Sequence, residues 1–319
     1  MNSHYCIKSF KMKSFLLLLL FIAPLGCFAA KVVFALPDTN NDPFWKIVLK
    51  GSQDAANALR VDLEVMSYSS IKTTDELNSI DIALSKPSDA TIIVPYHQSN
   101  KIEQAIKKMS DADHFIQVIN TGEKYIVQPN LKANYIGMND YQAGLSLGKG
   151  LEKSNVKKVL FISHLLTDSN VVIARQAGIH AALPSSKIFA LDVSNLSSID
   201  AQKMILNKLG TTKDIDTIIT LGPISFEYLS DALKLKSSKK IRYNIVSFDL
   251  SKLSADILRL GKVRFIIDQQ PYLQGFYAVV NSGVFALNHL YPTSSIFTGP
   301  RLIYPSDIEL IYNDIGITR

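Results

Sequence analysis

From Lys31 onward the sequence alternates short apolar runs with stretches of helical spacing, and this alternation limits the fold more than any other feature. Runs rich in Val and Ile occupy residues 31–36 (KVVFAL), 61–68 (VDLEVMSY), 90–96 (ATIIVPY), 114–120 (HFIQVIN), 156–163, 188–193, 215–222, 243–249 and 263–268. Most are continuously apolar at their centres, as strands covered on both faces are. Between them apolar residues recur at helical spacing, as at Phe44, Ile47, Val48, Ala55, Ala58 and Leu59. The pattern predicts an α/β protein with parallel sheets. So many strands, each with a crossover helix, exceed a comfortable single sheet, so two doubly wound lobes are expected, with a passage between them near residues 133–144. Ligands of such sheets bind outside the carboxyl ends of the strands, which makes the loops there the places to search.

The segment ahead of the first run is a leader. Lys8, Lys11 and Lys13 precede an apolar stretch from Phe15 to about Leu25, and small residues follow at Ala29 and Ala30, the pattern of a secretory signal peptide spanning residues 1–29. The apolar stretch is shorter than a membrane span requires. Lipidation at Cys27 is the weaker alternative, because Pro24 stands where such motifs carry Leu, and Met12 is an alternative start. Both cysteines, Cys6 and Cys27, fall in this leader, so the mature chain is expected to have neither disulfide nor thiolate metal site. The mature chain carries a net charge of only about +3, down from +6 with the leader, too little to imply nucleic acid as a partner. The expected location is the periplasm.

Polar and aromatic residues collect at the strand ends. After the first run, Asp42 and Pro43 form a helix start, Asp as N-cap and Pro at the first helical position. Phe44 and Trp45, the single tryptophan, follow in the first turn. Adjacent helical positions point about 100° apart, so at least one of the two rings should face the cleft. Other strand ends supply Asn120 and Thr121, then Asp249, then Asp268, Gln269 and Gln270. Aromatic faces with carboxyl and amide groups suit a sugar, whose C–H faces stack on rings and whose hydroxyls bond Asp, Asn and Gln.

Residues 31 to about 303 resemble the type 1 periplasmic binding proteins of the ribose-binding and lactose-repressor superfamily. NNDPFWKIVLKGSQDAANAL is similar to that family's first loop and helix, with Phe44 and Trp45 at its two stacking rings and Asp42 in place of the usual Asn. YIGMNDYQAGLSLG is similar to the segment that begins the second lobe, SFD ends at the family's ligand-binding Asp (Asp249), and DQQPYLQG carries the Gln of its third hinge crossing (Gln269). The resemblance implies a three-crossing hinge between an N-terminal lobe (30–137 with 270–295) and a C-terminal lobe (138–269 with 296–319). It also implies a small-molecule ligand held by Asp42, Phe44, Trp45, Asn120, Thr121, Asp249 and Gln269. Departures narrow this: the family's sugar-binding Arg falls at Ile173, leaving the structural one as Arg175, a ligand Asn falls at Gly222, and an Asp-Arg pair becomes Asn120 and Thr121. The implied role is delivery of a sugar to the permease of an ABC importer. The alternative is a sensory subunit that reports a ligand, such as an autoinducer or trimethylamine oxide, to a membrane kinase or cyclase.

Other chemistries find little support. GLSLGKG (144–150) misses the phosphate-loop spacing, and reads as small residues that let a helix pack closely on a sheet. The six histidines lack metal-ligand spacing, and His97 and His164, after strands, read as solvated loop residues. With no nucleophile elbow or paired catalytic carboxylates, neither an enzyme nor a cofactor is expected.

Overall fold

The structure is a computed structural model that describes residues 30–38, 42–68, 73–97, 99–126, 130–166, 169–235 and 242–319. The leader, both cysteines and Met12 lie outside the described residues.

In lobe 1, strands β1 (Lys31–Pro37), β2 (Asp62–Tyr68), β3 (Ala90–Ile93), β4 (Phe115–Asn120) and β5 (Ala133–Met138) are joined by a late strand, β11 (Ile296–Gly299). Their order is β11-β5-β4-β3-β1-β2, all neighbours parallel. In lobe 2, β6 (Lys158–Ser163), β7 (Lys187–Asp192), β8 (Thr217–Thr220), β9 (Asn244–Phe248), β10 (Phe265–Asp268) and β12 (Arg301–Ile303) run in the order β12-β10-β9-β8-β6-β7. Here only β12 is antiparallel, against β10. The apolar runs do form the buried central strands: Val32 to Pro37 and every residue of β4 are buried.

Helices cover both faces. Lobe 1 has α1 (Pro43–Leu59), α2 (Thr73–Ser85), α3 (Asn100–Asp111) and α9 (Pro271–Asn288); lobe 2 has α4 (Asp140–Leu151), α5 (Asn170–Ala182), α6 (Ser198–Thr211), α7 (Pro223–Leu233) and α8 (Lys252–Arg259). Each lobe contains one pair of helices in glycine-mediated contact. A Cβ on Gly51 of α1 would lie 2.1 Å from the Tyr272 carbonyl oxygen, and one on Gly275 of α9 2.0 Å from that of Val48. Gly144 of α4 and Gly178 of α5 repeat the arrangement at 2.1 Å from the carbonyl oxygens of Arg175 and Tyr141. The small residues of GLSLGKG therefore seat α4 against a helix more than against the sheet; only Gly150 abuts Phe265 of β10.

The chain crosses between the lobes at 138–140, 268–271 and 299–301. The last crossing lies about four residues beyond the expected boundary at 295/296, because residues 296–299 extend the first sheet beside β5 before the chain leaves it. Gln269 stands on the second crossing in chain order, not the third. The Thr298 hydroxyl lies 2.7 Å from the Gln269 carbonyl oxygen and 3.3 Å from that of Gly137, and Gln270 Nε2 donates to Thr298 O at 2.6 Å. One threonine thus ties the three crossings together.

Candidate functional site

A narrow pocket of about 30 Å³ lies between the lobes at the carboxyl ends of their strands, well below the usual range for ligand sites. Lobe 1 lines it with Asp42, Phe44, Trp45, Tyr96 and Asn120, lobe 2 with His164, Leu165, Val171, Arg175, Leu221, Pro223 and Asp249, and the hinge with Gln269.

The aromatic wall is built from the start of α1. Asp42 caps the helix by accepting from the Phe44 N–H at 2.9 Å, with extended backbone and Pro43 at the first helical position. Phe44 and Trp45 are both buried at 7% and 1% exposure and both line the pocket. Their rings meet edge to face at 5.0 Å, and Tyr96 stands edge-on to Trp45 at 6.1 Å, so the three form one continuous wall.

Asn120 and Asp249 are aimed by their backbones. Asn120 ends β4 and Asp249 directly follows β9, both with positive φ, 67° and 59°, a region that Asn and Asp enter more readily than other side chains. Asn120 Nδ2 donates to Gln274 Oε1 at 3.2 Å and Gln269 Oε1 at 3.4 Å, and Gln269 Nε2 donates to Asp249 Oδ1 at 2.8 Å. A hydrogen-bonded chain therefore runs from lobe 1 through the hinge to lobe 2. Thr121 does not join it. The Thr121 N–H bonds Ile119 O at 2.8 Å across a three-residue turn centred on Asn120, and Thr121 lines a separate crevice with Met138 and Tyr141.

On the lobe 2 side, Arg175 is 3% exposed, donates from Nε to Asp140 Oδ1 at 2.9 Å and from Nη1 to Leu221 O at 3.2 Å, and lies 4.1 Å over the Phe248 ring. Ile173 is half exposed, outside the pocket. The phase of α5 explains both: Val171 and Arg175 are one turn apart on one face, while Ile173 is rotated about 200° from Val171. Gly222 lies beneath His164, since a Cβ there would be 2.8 Å from His164 Cε1 and 3.6 Å from Asp249 Oδ2. His164, expected in solvent, is a pocket residue whose Nδ1 is 3.3 Å from Ser225 Oγ. His97 is buried beside Glu76.

Burial governs the protonation of this site. Desolvation pushes Asp249 up to about 7, opposed by Arg175 and the Gln269 hydrogen bond and assisted by Asp42 and Asp268. It raises Asp42 to about 6, against the Phe44 N–H. It lowers His164 to about 4, with Arg175 adding in the same direction, so the imidazole is neutral at neutral pH. The arrangement offers aromatic faces, hydrogen-bond acceptors and a single guanidinium already engaged by Asp140. Among the described residues, no cluster of three His, Cys, Asp or Glu side chains could hold a metal ion, and no helix is long and apolar enough to cross a membrane.

The periplasmic binding protein domain family matches residues 32–282. The chain belongs to that family. This periplasmic binding protein is 25% identical over 297 residues to the xylose/arabinose-binding protein XylF of Sulfolobus acidocaldarius, covering 88% of this chain and 72% of the relative. Its fold matches a carbohydrate transporter from Acidothermus cellulolyticus solved in complex with myo-inositol, with a TM-score of 0.80, 22% identity, and 91% and 100% of the two chains covered. It also matches GanP, a glucose-galactose binding protein from Geobacillus stearothermophilus, with a TM-score of 0.72, 20% identity, and 88% and 98% covered.

Six of the seven site residues expected from the sequence of this periplasmic binding protein meet in the pocket, and Thr121 is the exception. Sequence reasoning passed over Tyr96, His164 and the pocket position of Arg175. Arg175 carried a usable signal, its i, i+4 spacing from Val171 on a helix that starts at a strand end.

Proposed function

We propose that the protein is a periplasmic solute-binding protein that closes on a small sugar and delivers it to the permease of an ABC importer. The observation that carries this reading is the inter-lobe pocket itself, with an aromatic wall on one lobe, ionisable acceptors on the other and a hinge glutamine bonded to both. Phe44, Trp45 and Tyr96 take the C–H faces of the ring, while Asp42, Asn120, His164, Asp249 and Gln269 take its hydroxyls. Ligand that touches both lobes favours the closed arrangement by as much as its contacts differ between open and closed states. The names of the relatives, which bind pentoses, hexoses and inositol, support a sugar, and the leader supports export. The reading assigns no reaction to these residues.

The test is titration of purified protein with D-xylose, L-arabinose, D-glucose, D-galactose and myo-inositol, followed by calorimetry and by the emission of Trp45. At least one should bind and shift the emission. Binding of none of them, with a folded protein, would sink the sugar reading.

A further inference from the structure

We propose that Glu76, which does not line the pocket, is a positioning residue for ligand binding that acts through the segment after β3. Glu76 is fully buried on α2, where the neighbouring buried positions Ile80, Ala83 and Leu84 are apolar. A carboxyl group withdrawn from water is costly unless it is bonded, and Glu76 spends both oxygens on one residue. Oε1 accepts from the His97 N–H at 3.1 Å, and Oε2 lies 2.6 Å from His97 Nδ1. Two tyrosines complete the bracket. Tyr68 Oη donates to Val94 O at 2.7 Å, and Tyr125 Oη donates to His97 O at 3.0 Å while accepting from the Ser99 N–H at 2.8 Å.

The bracketed segment has left the sheet, since β3 ends at Ile93. Side-chain bonds therefore do for residues 94–97 what strand neighbours do for β3. At the centre of this segment Tyr96 has two tasks. Its ring is part of the pocket wall against Trp45. Its carbonyl oxygen accepts from the backbone N–H of Asn170, at the start of α5 on the opposite lobe, at 3.3 Å. Lys124 Nζ reaches Asn170 Oδ1 at 3.4 Å beside it. Glu76 thus fixes both a wall of the ligand site and the lobe 1 half of a clasp that closes its mouth. The step from this clasp to ligand affinity rests on the sugar-binding reading above.

Four variants test it: Glu76→Leu, Glu76→Gln, Tyr125→Phe and, as a control in the same core, Ile80→Ala. Affinity is measured for the tightest binder among the five sugars named above, and acrylamide quenching of Trp45 is measured without sugar. Glu76→Leu should weaken binding at least tenfold and make Trp45 more quenchable. Glu76→Gln, which keeps an acceptor for the His97 N–H, should stay within about threefold of the parent, and Tyr125→Phe should fall between. Ile80→Ala should lower the Tm while leaving affinity and quenching unchanged. Parental affinity and quenching in Glu76→Leu, or an equal loss in Ile80→Ala, overturns the proposal; if Glu76→Leu does not fold, Tyr125→Phe against Ile80→Ala decides. Should no sugar bind, the sugar reading fails, and the quenching comparison still decides the role of Glu76.

Discussion

Lobe 1 and lobe 2 share one plan, a six-stranded sheet with the same strand succession and one glycine-joined helix pair each, yet they bring different chemistry to the pocket. Lobe 1 supplies Phe44 and Trp45 from a helix start and Tyr96 from the segment after β3, beside Asp42 and Asn120, whereas lobe 2 supplies His164, Arg175 and Asp249, all tuned by burial or pairing. The difference lies entirely at the strand ends. A doubly wound sheet constrains its interior to apolar residues but leaves those ends free, so two similar scaffolds can bring different side chains to one site.

The sharpest blow to the lobe 2 half is Arg175→Leu. It leaves Asp140, whose side chain is only 10% exposed, without its partner, and a lone buried charge costs about 3–5 kcal/mol. Urea unfolding at pH 7 should show that loss together with loss of binding, and an unchanged midpoint would mean that Asp140 finds another partner. The matching blow to lobe 1 is Trp45→Ala. The cavity left by a nearly fully buried indole should cost about 3–5 kcal/mol of stability, with about 1–3 kcal/mol of sugar affinity lost as well. Full affinity in a folded Trp45→Ala protein would reduce the aromatic wall to core packing.

Asp249→Ala should weaken sugar binding at least tenfold, about 1.5–3 kcal/mol for a charge-assisted hydrogen bond, as calorimetry would show. Asp249→Asn separates charge from shape. Because the folded protein holds Asp249 at about 7, against an ordinary value near 3.9, it retains a proton that the unfolded chain releases between about pH 4 and 7. The stability of the unliganded protein should therefore fall through that window on this account, and Asp249→Asn should raise the Tm at pH 8 relative to the parent but not at pH 4. Sugar affinity should run the other way, tightening as pH rises from 5 to 8, because donor hydroxyls favour the ionised carboxylate. A parallel trend in both, or an undiminished pH dependence in Asp249→Asn, contradicts this assignment; the part that remains in that variant belongs to Asp42, raised to about 6. The smallest effect is expected at Thr121→Val, with affinity within about 0.5 kcal/mol of the parent by the usual scale of substitutions outside a site, since Thr121 lines a different crevice from its neighbour Asn120.

The sequence made the two-lobed α/β fold legible because its central strands are buried on both faces and read as unbroken apolar runs. β11 and β12 were not legible: IFTG and RLI are four and three residues long, flank Pro300, and gain their identity only from β5 and β10. At the site, Asp42, Phe44, Trp45, Asn120, Asp249 and Gln269 could be found because position at a strand end or in a first helical turn fixes roughly where a side chain points. His164 and Tyr96 sit in loops whose direction is set by distant partners, Ser225 for one and the Glu76 bracket for the other. Thr121 failed as a candidate for the same reason in reverse: the turn at Asn120 directs one side chain into the pocket and the next one away.

The threading of the chain carries a consequence for how the molecule comes into being. Lobe 1 is missing α9 and β11 until residues 271–299 have been made, after most of lobe 2 already exists. Until then the glycine face of α1 has nothing to lie against and β5 is an open edge able to pair with other chains. Lobe 2 waits as well, for β12 on its rim and for Ile308, Ile311 and Ile315, which are buried in its core. Neither lobe is therefore complete until the segment after residue 270 has been made, and the tryptophan that lines the finished pocket belongs to a half that stays open until residues 271–299 exist.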